Sequence, residues 1–167
     1  LNQLHLRRGR WLAGRDEVLV SEAFARANGL EIGDTLGAVI HGRWQRLRIV
    51  GLALSPEYIY EIRGVGDIFP DNRRFGVMWM GYDQLAAAFD LEGAFNDVTL
   101  TLARGASEAA TLAQLDRLLE RWGGFGAYGR DDHISHRFVT DEITETQVTS
   151  VTIPAIFLGV TAFLLHI

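Results

Sequence analysis

The chain contains no cysteine and no lysine among its 167 residues. Without cysteine, zinc–thiolate sites, disulfide bonds and thiol catalysis are excluded. Basic charge is scarce as well, because 16 basic residues, all of them arginine, stand against 21 acidic ones and leave a net charge of -5. A nucleic-acid-binding protein needs a surplus of basic side chains to neutralise phosphates, so we expect no nucleic-acid partner.

Charged residues disappear altogether after Glu145, and the chain ends in an apolar run from Val151 to Leu165. One interpretation is a buried C-terminal helix of a soluble domain, since a spanning helix needs about 20 apolar residues. The run is apolar on every face, however, and it contains Pro154 and Gly159, which membrane helices tolerate well. The pattern therefore favours the start of a transmembrane helix, over residues 154–167.

The flank of this run indicates its orientation. Residues 138–145 contain acidic side chains but no arginine. Cytoplasmic flanks usually carry basic residues, so the preceding domain is expected on the extracytoplasmic side. The chain also begins with Leu1 rather than methionine and shows no signal peptide. We expect it to be part of a longer membrane polypeptide.

The first part of the chain, residues 1–90, is predicted to be a β-rich lobe. Residues 17–20 form a short β run, followed by a helix that Ser21 caps and Gly29 ends. A strand at 35–40 and a strand at 44–54 are joined by a two-residue hairpin turn at His41-Gly42. A buried strand over 75–80 and a short helix over 82–89, capped by Asp83, complete this lobe.

A β-α-β lobe is predicted over residues 91–134. Alternating apolar residues give a strand at 95–102, and Ser107 caps a helix with leucines at spacings of three and four. A second strand at 127–130 follows. From Ser135 a helical pattern continues into the apolar run, which predicts a stalk helix over 135–153. The fold class is therefore α+β, with a stalk helix that enters the membrane.

No group of residues in the sequence has the pattern of a known catalytic site. His133 and His136 lie three residues apart beside two aspartates, which is a weak metal-binding pattern at what is more simply a helix start. Glu57 and Glu61 form a nominal acid pair with no nucleophile or base beside it. We therefore expect no enzymatic activity, metal or cofactor.

The loop from Ser55 to Arg74 is long for a connection in a compact domain, and long ordered loops are often functional. It contains an apolar group of Tyr58, Ile59, Tyr60 and Ile62, here called the loop patch. We predict that the loop patch contacts a partner or an apolar substrate. The alternative is that it folds back onto the strand near Phe75.

Several motifs in residues 9–55 occur in an order that is similar to a known family. They are Gly9-Arg10, Asp16-Glu17, Gly33-Asp34-Thr35 and Val50-Gly51, with a small helix after the first β run. This order, together with the terminal apolar helix, resembles the extracytoplasmic (MacB-like periplasmic core) domain of FtsX-like ABC transporter permeases. The stretch around 93–107 looks similar too.

The resemblance implies a non-catalytic domain in the cell's inner (cytoplasmic) membrane, on the periplasmic side. Its expected partners are an ABC-type ATPase subunit and a second permease in a homo- or heterodimer. Its expected role is to couple ATP-driven motion to export or extraction of a lipidic or apolar substrate. The alternative is a signalling or activator domain that recruits a cell-wall hydrolase. The family pattern also implies that the first half of the second lobe precedes Leu1.

Overall fold

A computed structural model of the chain describes residues 2–63, 67, 69–124 and 126–166. It is a mixed α+β structure, as the sequence predicts, with a five-stranded sheet and a long C-terminal helix. The chain divides into two compact units, Leu1–Ala127 and Tyr128–Ile167.

The sheet is organised around one long strand. The strands are β1 (His5–Gly9), β2 (Glu17–Ser21), β3 (Thr35–Ile40), β4 (Arg43–Leu54) and β5 (Met78–Trp79). Because β4 is 12 residues long, it pairs with three others: antiparallel to β1 and β3, and parallel to β2. Strand β5 pairs antiparallel to the other edge of β2.

The connection from β2 to β3 follows the predicted course. Strand β2 passes directly into helix α1 (Glu22–Asn28), which ends at Gly29 in the left-handed conformation with φ 63°. The turn between β3 and β4 consists of His41 and Gly42, both with positive φ (48° and 76°). Positive φ at both central residues is the requirement of the type I′ turn, whose twist matches that of a two-stranded hairpin.

Both faces of β2 are buried. On one face Val18 and Val20 pack with Leu47 and Ile49, and helix α1 covers this cluster. On the other face Leu19 packs with Val50 and Ala53, and these are covered by the partly buried Leu4, Leu6, Leu12 and Trp79. Every buried position in the described residues lies between 18 and 61, with the exception of Ser135. The hydrophobic core is therefore the centre of this sheet.

Three local predictions need correction. Strand β1 is absent from the sequence-based prediction, because its arginine-rich sequence does not alternate clearly. The strand predicted at 75–80 shrinks to the two residues of β5. The N-cap residue of helix α2 (Tyr82–Ala88) is Gly81, which has an extended conformation. Asp83 is therefore a first-turn residue and not the cap.

The predicted β-α-β lobe retains only its helix in the described residues. Helix α3 (Glu108–Leu119) begins as predicted, with the Ser107 side chain accepting a hydrogen bond from the Ala110 amide at 3.3 Å. Residues 95–102 form no strand, and a 3-10 helix over Arg130–Asp132 occupies part of the second predicted strand. The first segment has the expected alternation, but no neighbouring strand pairs with it, and its apolar side chains are exposed.

Helix α4 (Ile134–His166) is a single helix of 33 residues. It begins one residue before the predicted stalk and continues through Pro154 without interruption. The structure therefore joins the predicted stalk and the predicted membrane segment in one helix.

Candidate functional site

Helix α4 is the most distinctive element of the second unit. At 1.5 Å per residue its 33 residues extend about 50 Å, whereas the hydrocarbon core of a bilayer is about 30 Å thick. Its most apolar 18-residue window has no residue buried inside the protein. Val151, Leu158 and Leu165 are 70, 70 and 84% exposed. The helix is thus long and apolar enough to cross a membrane, and its apolar side chains are exposed.

The polar half of α4 precedes this apolar part. Asp141, Glu142 and Glu145 are all exposed, and no charged residue follows them in the helix. Pro154 lies nine residues after the last acid. A membrane helix accommodates a proline because neighbouring helices and local adjustments satisfy the freed carbonyl. About a dozen residues of α4 remain outside a span that begins near Glu145.

The loop patch is only half exposed. Tyr58 and Ile59 are 37 and 63% exposed, whereas Tyr60 and Ile62 are half-buried. Between the latter two, Glu61 is almost completely buried, with 6% of the residue exposed. The loop therefore turns Ile59 outward and Glu61 inward. Whether the loop patch contacts a partner stays a prediction.

Glu61 is held by Ser21, the last residue of β2. The Ser21 hydroxyl donates a hydrogen bond of 2.8 Å to Glu61 Oε2 and accepts one of 3.4 Å from the Val77 amide. Burial raises the pKa of the Glu61 carboxyl above its usual value, and the hydrogen bond from Ser21 opposes this only in part. Ser21 stands at the N-cap position of α1, as predicted, but its side chain does not cap the helix.

This pair is inaccessible to solvent. Ser21 is 1% exposed, so no substrate reaches its hydroxyl. Glu57 does not join Glu61, because its carboxylate accepts a hydrogen bond of 3.3 Å from the Asn2 side chain instead. A buried carboxyl and a buried hydroxyl of this kind attach a loop to a strand.

The motif residues of the first lobe meet at one place along β4. Gly9 has φ +87°, and a Cβ there would lie 2.4 Å from the Val50 carbonyl oxygen. The Arg10 amide donates to the same oxygen at 3.0 Å, and the Gly33 amide donates to Ile49 O at 2.8 Å. The Ile49 amide in turn donates to Asp34 O at 2.9 Å. These contacts therefore lie at the point on β4 where the pairing with β1 ends, at Gly51, and the pairing with β3 begins, at Arg48.

Glu17 organises the loop between β1 and β2. Its carboxylate accepts two hydrogen bonds from the Arg10 guanidinium, and one each from the amides of Ala13 (2.9 Å) and Gly14 (3.0 Å). These donors, above all Arg10, lower the pKa of Glu17 to about 2. The carboxylate likewise raises the pKa of Arg10. The sequence reveals the motif but not that its arginine and its glutamate form an ion pair.

The predicted histidine pair does not converge on a metal site. His136 Nε2 lies 3.7 Å from Asp131 Oδ1, whereas the ring of His133 stacks on Tyr128 at 6.4 Å. No group of three or more metal-ligating side chains occurs in the part of the chain that is described. His136 and Asp131 line a shallow groove of about 260 Å³ with Arg137, Thr140 and Asp141.

Comparison with known proteins identifies no relative of this chain. No protein-family model, curated protein or solved structure matches the chain.

Proposed function

We propose that this chain is the extracytoplasmic domain and adjoining membrane helix of an FtsX-like ABC transporter permease subunit. In this role it couples the ATP-driven motion of a partner ATPase to export or extraction of a lipidic or apolar substrate. The domain itself performs no chemistry. The resemblance of the motifs in residues 9–55 and the character of α4 are the two supports.

The observation that carries the proposal is the continuity of α4. One helix contains the acidic segment around Asp141 and the apolar segment after Val151, with no loop between them. A helix transmits rotation or displacement along its axis better than a flexible linker does, because its backbone hydrogen bonds restrain every residue. A mechanical coupling element needs that property.

The fold of the first unit gives a second support. The motif residues Gly9, Arg10, Gly33 and Asp34 make backbone contacts with β4 at Ile49 and Val50. A sheet whose strands are tied together in this way suits a domain that responds to movement. The resemblance therefore rests on residues that hold the neighbouring segments against β4.

The first test is co-purification from native membranes. The protein is extracted in a mild detergent, purified and analysed by mass spectrometry. The proposal predicts an ABC-type ATPase in the purified complex. A complex with no such ATPase would overturn it.

The second test addresses the mechanical role of α4. Seven residues are inserted after Glu145, either as a flexible Gly-Ser sequence or as a helical Ala-Glu-Lys sequence of equal length. Seven residues make about two helical turns, so the helical insertion keeps the flanking faces nearly aligned. The flexible insertion should abolish coupling between the membrane part and the domain, measured as transport per ATP hydrolysed. The helical insertion should retain most of it.

A second candidate function, recruitment of a cell-wall hydrolase, draws on the exposure of Ile59 in the loop patch. An activator needs an outward-facing contact residue on its extracytoplasmic domain. Ile59→Asp should then reduce hydrolase co-purification while leaving ATPase co-purification unchanged. Retention of the hydrolase by this variant, or its absence from the wild-type complex, excludes this role for the loop patch.

A further inference from the structure

Two arginines on β4 lack compensating charge. Arg46 and Arg48 are exposed on the face of the β3–β4 hairpin opposite the core residues Leu47 and Ile49. Their cross-strand partners on β3 are Gly37 and Thr35, so no acid on β3 faces them. Neither arginine takes part in any salt bridge among the described residues.

The acid that faces Arg48 on the neighbouring strand β2 is already paired with another arginine. Glu17 on β2 is in register with Arg48 on β4. Its carboxylate is engaged by Arg10 and by two backbone amides, which leaves Arg48 uncompensated. In contrast, Arg7 and Arg8 on β1 each form an ion pair, with Glu22 (3.4 Å) and Glu31 (3.6 Å).

Trp44 continues the same face, and its ring lies against β3. It pairs with Val39 on β3, and the two side chains are 67 and 66% exposed. Its ring packs on the bare backbone of Gly37, where a Cβ would lie 2.2 Å from Cη2 of the indole. Glycine at this position therefore allows an exposed indole to lie across the hairpin in a fixed orientation.

An open groove lies at the Arg48 end of this face. It has a volume of about 200 Å³ and is lined by Gly9, Arg10, Gly33 and Arg48, together with Ile32, Ile49 and Val50. The amides of Arg10 and Gly33 are already bonded to β4 carbonyls. The groove thus offers the Arg48 guanidinium, whereas the Arg10 guanidinium and the Arg10 and Gly33 amides are already engaged, which favours a side-chain carboxylate as the bound group.

We propose that Trp44, Arg46 and Arg48, here called the arginine face, bind an extended acidic segment of a protein partner. Residues two apart on a strand lie about 7 Å apart on the same side. Carboxylates two positions apart in an extended segment match the two guanidiniums, which bind carboxylates in bidentate fashion. Tryptophan and arginine are also the residues that most often dominate protein interfaces. This site is independent of the proposed transport function.

The charge distribution favours a protein segment over an anionic membrane surface. Lipid-binding patches typically hold about 4–8 basic residues, whereas the arginine face has two. An extended acidic segment needs only the two guanidinium groups of the arginine face.

The test measures binding of a fluorescein-labelled peptide of alternating glutamate and threonine to the full chain in an uncharged detergent. Fluorescence anisotropy should show saturable binding that weakens with salt, and a lysine–threonine peptide should not bind. The double variant Arg46→Glu, Arg48→Glu should lower the affinity at least about tenfold. Trp44→Ala, and Gly37→Ala, which displaces the indole without changing charge, should each lower it several-fold.

The matched control is Arg43→Glu. Arg43 lies on the same strand and is also exposed, but it faces the opposite side of the hairpin because side chains alternate along β4. Its affinity for the peptide should stay within about twofold of wild type. The proposal is overturned if Arg43→Glu weakens binding as much as the double variant, or if the peptide does not bind. Binding to phosphatidylglycerol vesicles alone, with loss in the double variant, would also overturn it.

Discussion

The hydroxyl of Ser21 and the carboxyl of Glu61 are 40 residues apart in sequence and 2.8 Å apart in space. Their hydrogen bond connects the end of β2 to the loop that carries the loop patch. Both groups are buried, so water does not replace either partner when the other is removed. This contact decides which residues of the loop face outward.

Removal of the Glu61 side chain should destabilise the first unit. In Glu61→Ala the Ser21 hydroxyl loses its acceptor and a cavity is left. The expected loss in free energy of unfolding is about 1–3 kcal/mol, measured by urea denaturation of the purified chain. Glu57→Ala is the control, since Glu57 is only partly buried and its bond to Asn2 is long at 3.3 Å. Equal losses in the two variants would contradict the role given to Ser21 and Glu61.

The raised pKa of Glu61 has a pH signature of its own. A carboxyl whose pKa is higher in the folded state holds its proton more tightly there than in the unfolded chain. The stability it contributes is present below its ordinary pKa and decreases as the pH rises through the raised value. Glu61→Gln keeps an acceptor for Ser21 and cannot ionise, so it should remove this decrease. Unchanged pH dependence above pH 4.5 in the variant would refute the assignment.

Glu17 should show the opposite dependence. Its pKa is lowered from 4.5 to about 2, chiefly by the Arg10 guanidinium. The stability it contributes is therefore present above pH 4.5 and is lost as the pH falls toward 2. Thermal melts of wild type and Glu17→Gln should differ at neutral pH and converge in acid. Parallel curves across this range would show that the Arg10–Glu17 pair adds no stability.

Gly9 is the glycine whose replacement should cost most. Its φ of +87° disfavours any side chain, and a Cβ would lie 2.4 Å from Val50 O and 2.7 Å from Gly51 Cα. Gly9→Ala should therefore lower the free energy of unfolding by more than about 2 kcal/mol. Gly29→Ala provides the comparison, because Gly29 also has positive φ (+63°) but a Cβ added there would meet no atom within 4 Å. Its loss should be about 1 kcal/mol. Similar losses would mean that the approach of Gly9 to β4 is not important.

Residues 95–102 should exchange their amide hydrogens rapidly. They form no backbone hydrogen bond in the described structure, and Phe95, Val98, Leu100 and Leu102 are 65, 50, 50 and 42% exposed. The amide of Ile49 in β4, bonded to Asp34 O, should be protected as strongly as the core. Hydrogen exchange followed by mass spectrometry measures both. Strong protection of residues 95–102 in the purified chain would show that this segment is paired as a strand.

The parts of the fold that depend on local signals are predictable from sequence. Gly29 ends α1 because it adopts φ 63°, and His41-Gly42 forms the tight hairpin because both residues accept positive φ. Ser107 caps α3 for the same kind of local reason. Each of these depends on one or two residues and their neighbours.

The structural features that the sequence does not predict depend on residues that are distant in sequence. Residues 95–102 have the composition and alternation of a strand, but a strand needs a neighbour to bond with, and no described residue supplies one. Strand β1 has weak local signals and forms because β4 offers it an edge. The ion pair of Arg10 with Glu17 and the contact of Ser21 with Glu61 are likewise set by the sheet, so the sequence alone does not reveal them.

The proposed arrangement places the residues before α4 on the extracytoplasmic side of the membrane and the apolar part of α4 within the membrane. Because the chain has no native cysteine, single cysteines at exposed positions report on this directly. Arg73→Cys probes the first unit and Leu158→Cys probes the apolar part of α4, and both are treated with a membrane-impermeant maleimide in intact cells. Arg73→Cys should be labelled at once, and Leu158→Cys only after detergent dissolves the membrane. Labelling of Leu158→Cys in intact cells, or of Arg73→Cys only after permeabilisation, would contradict the account.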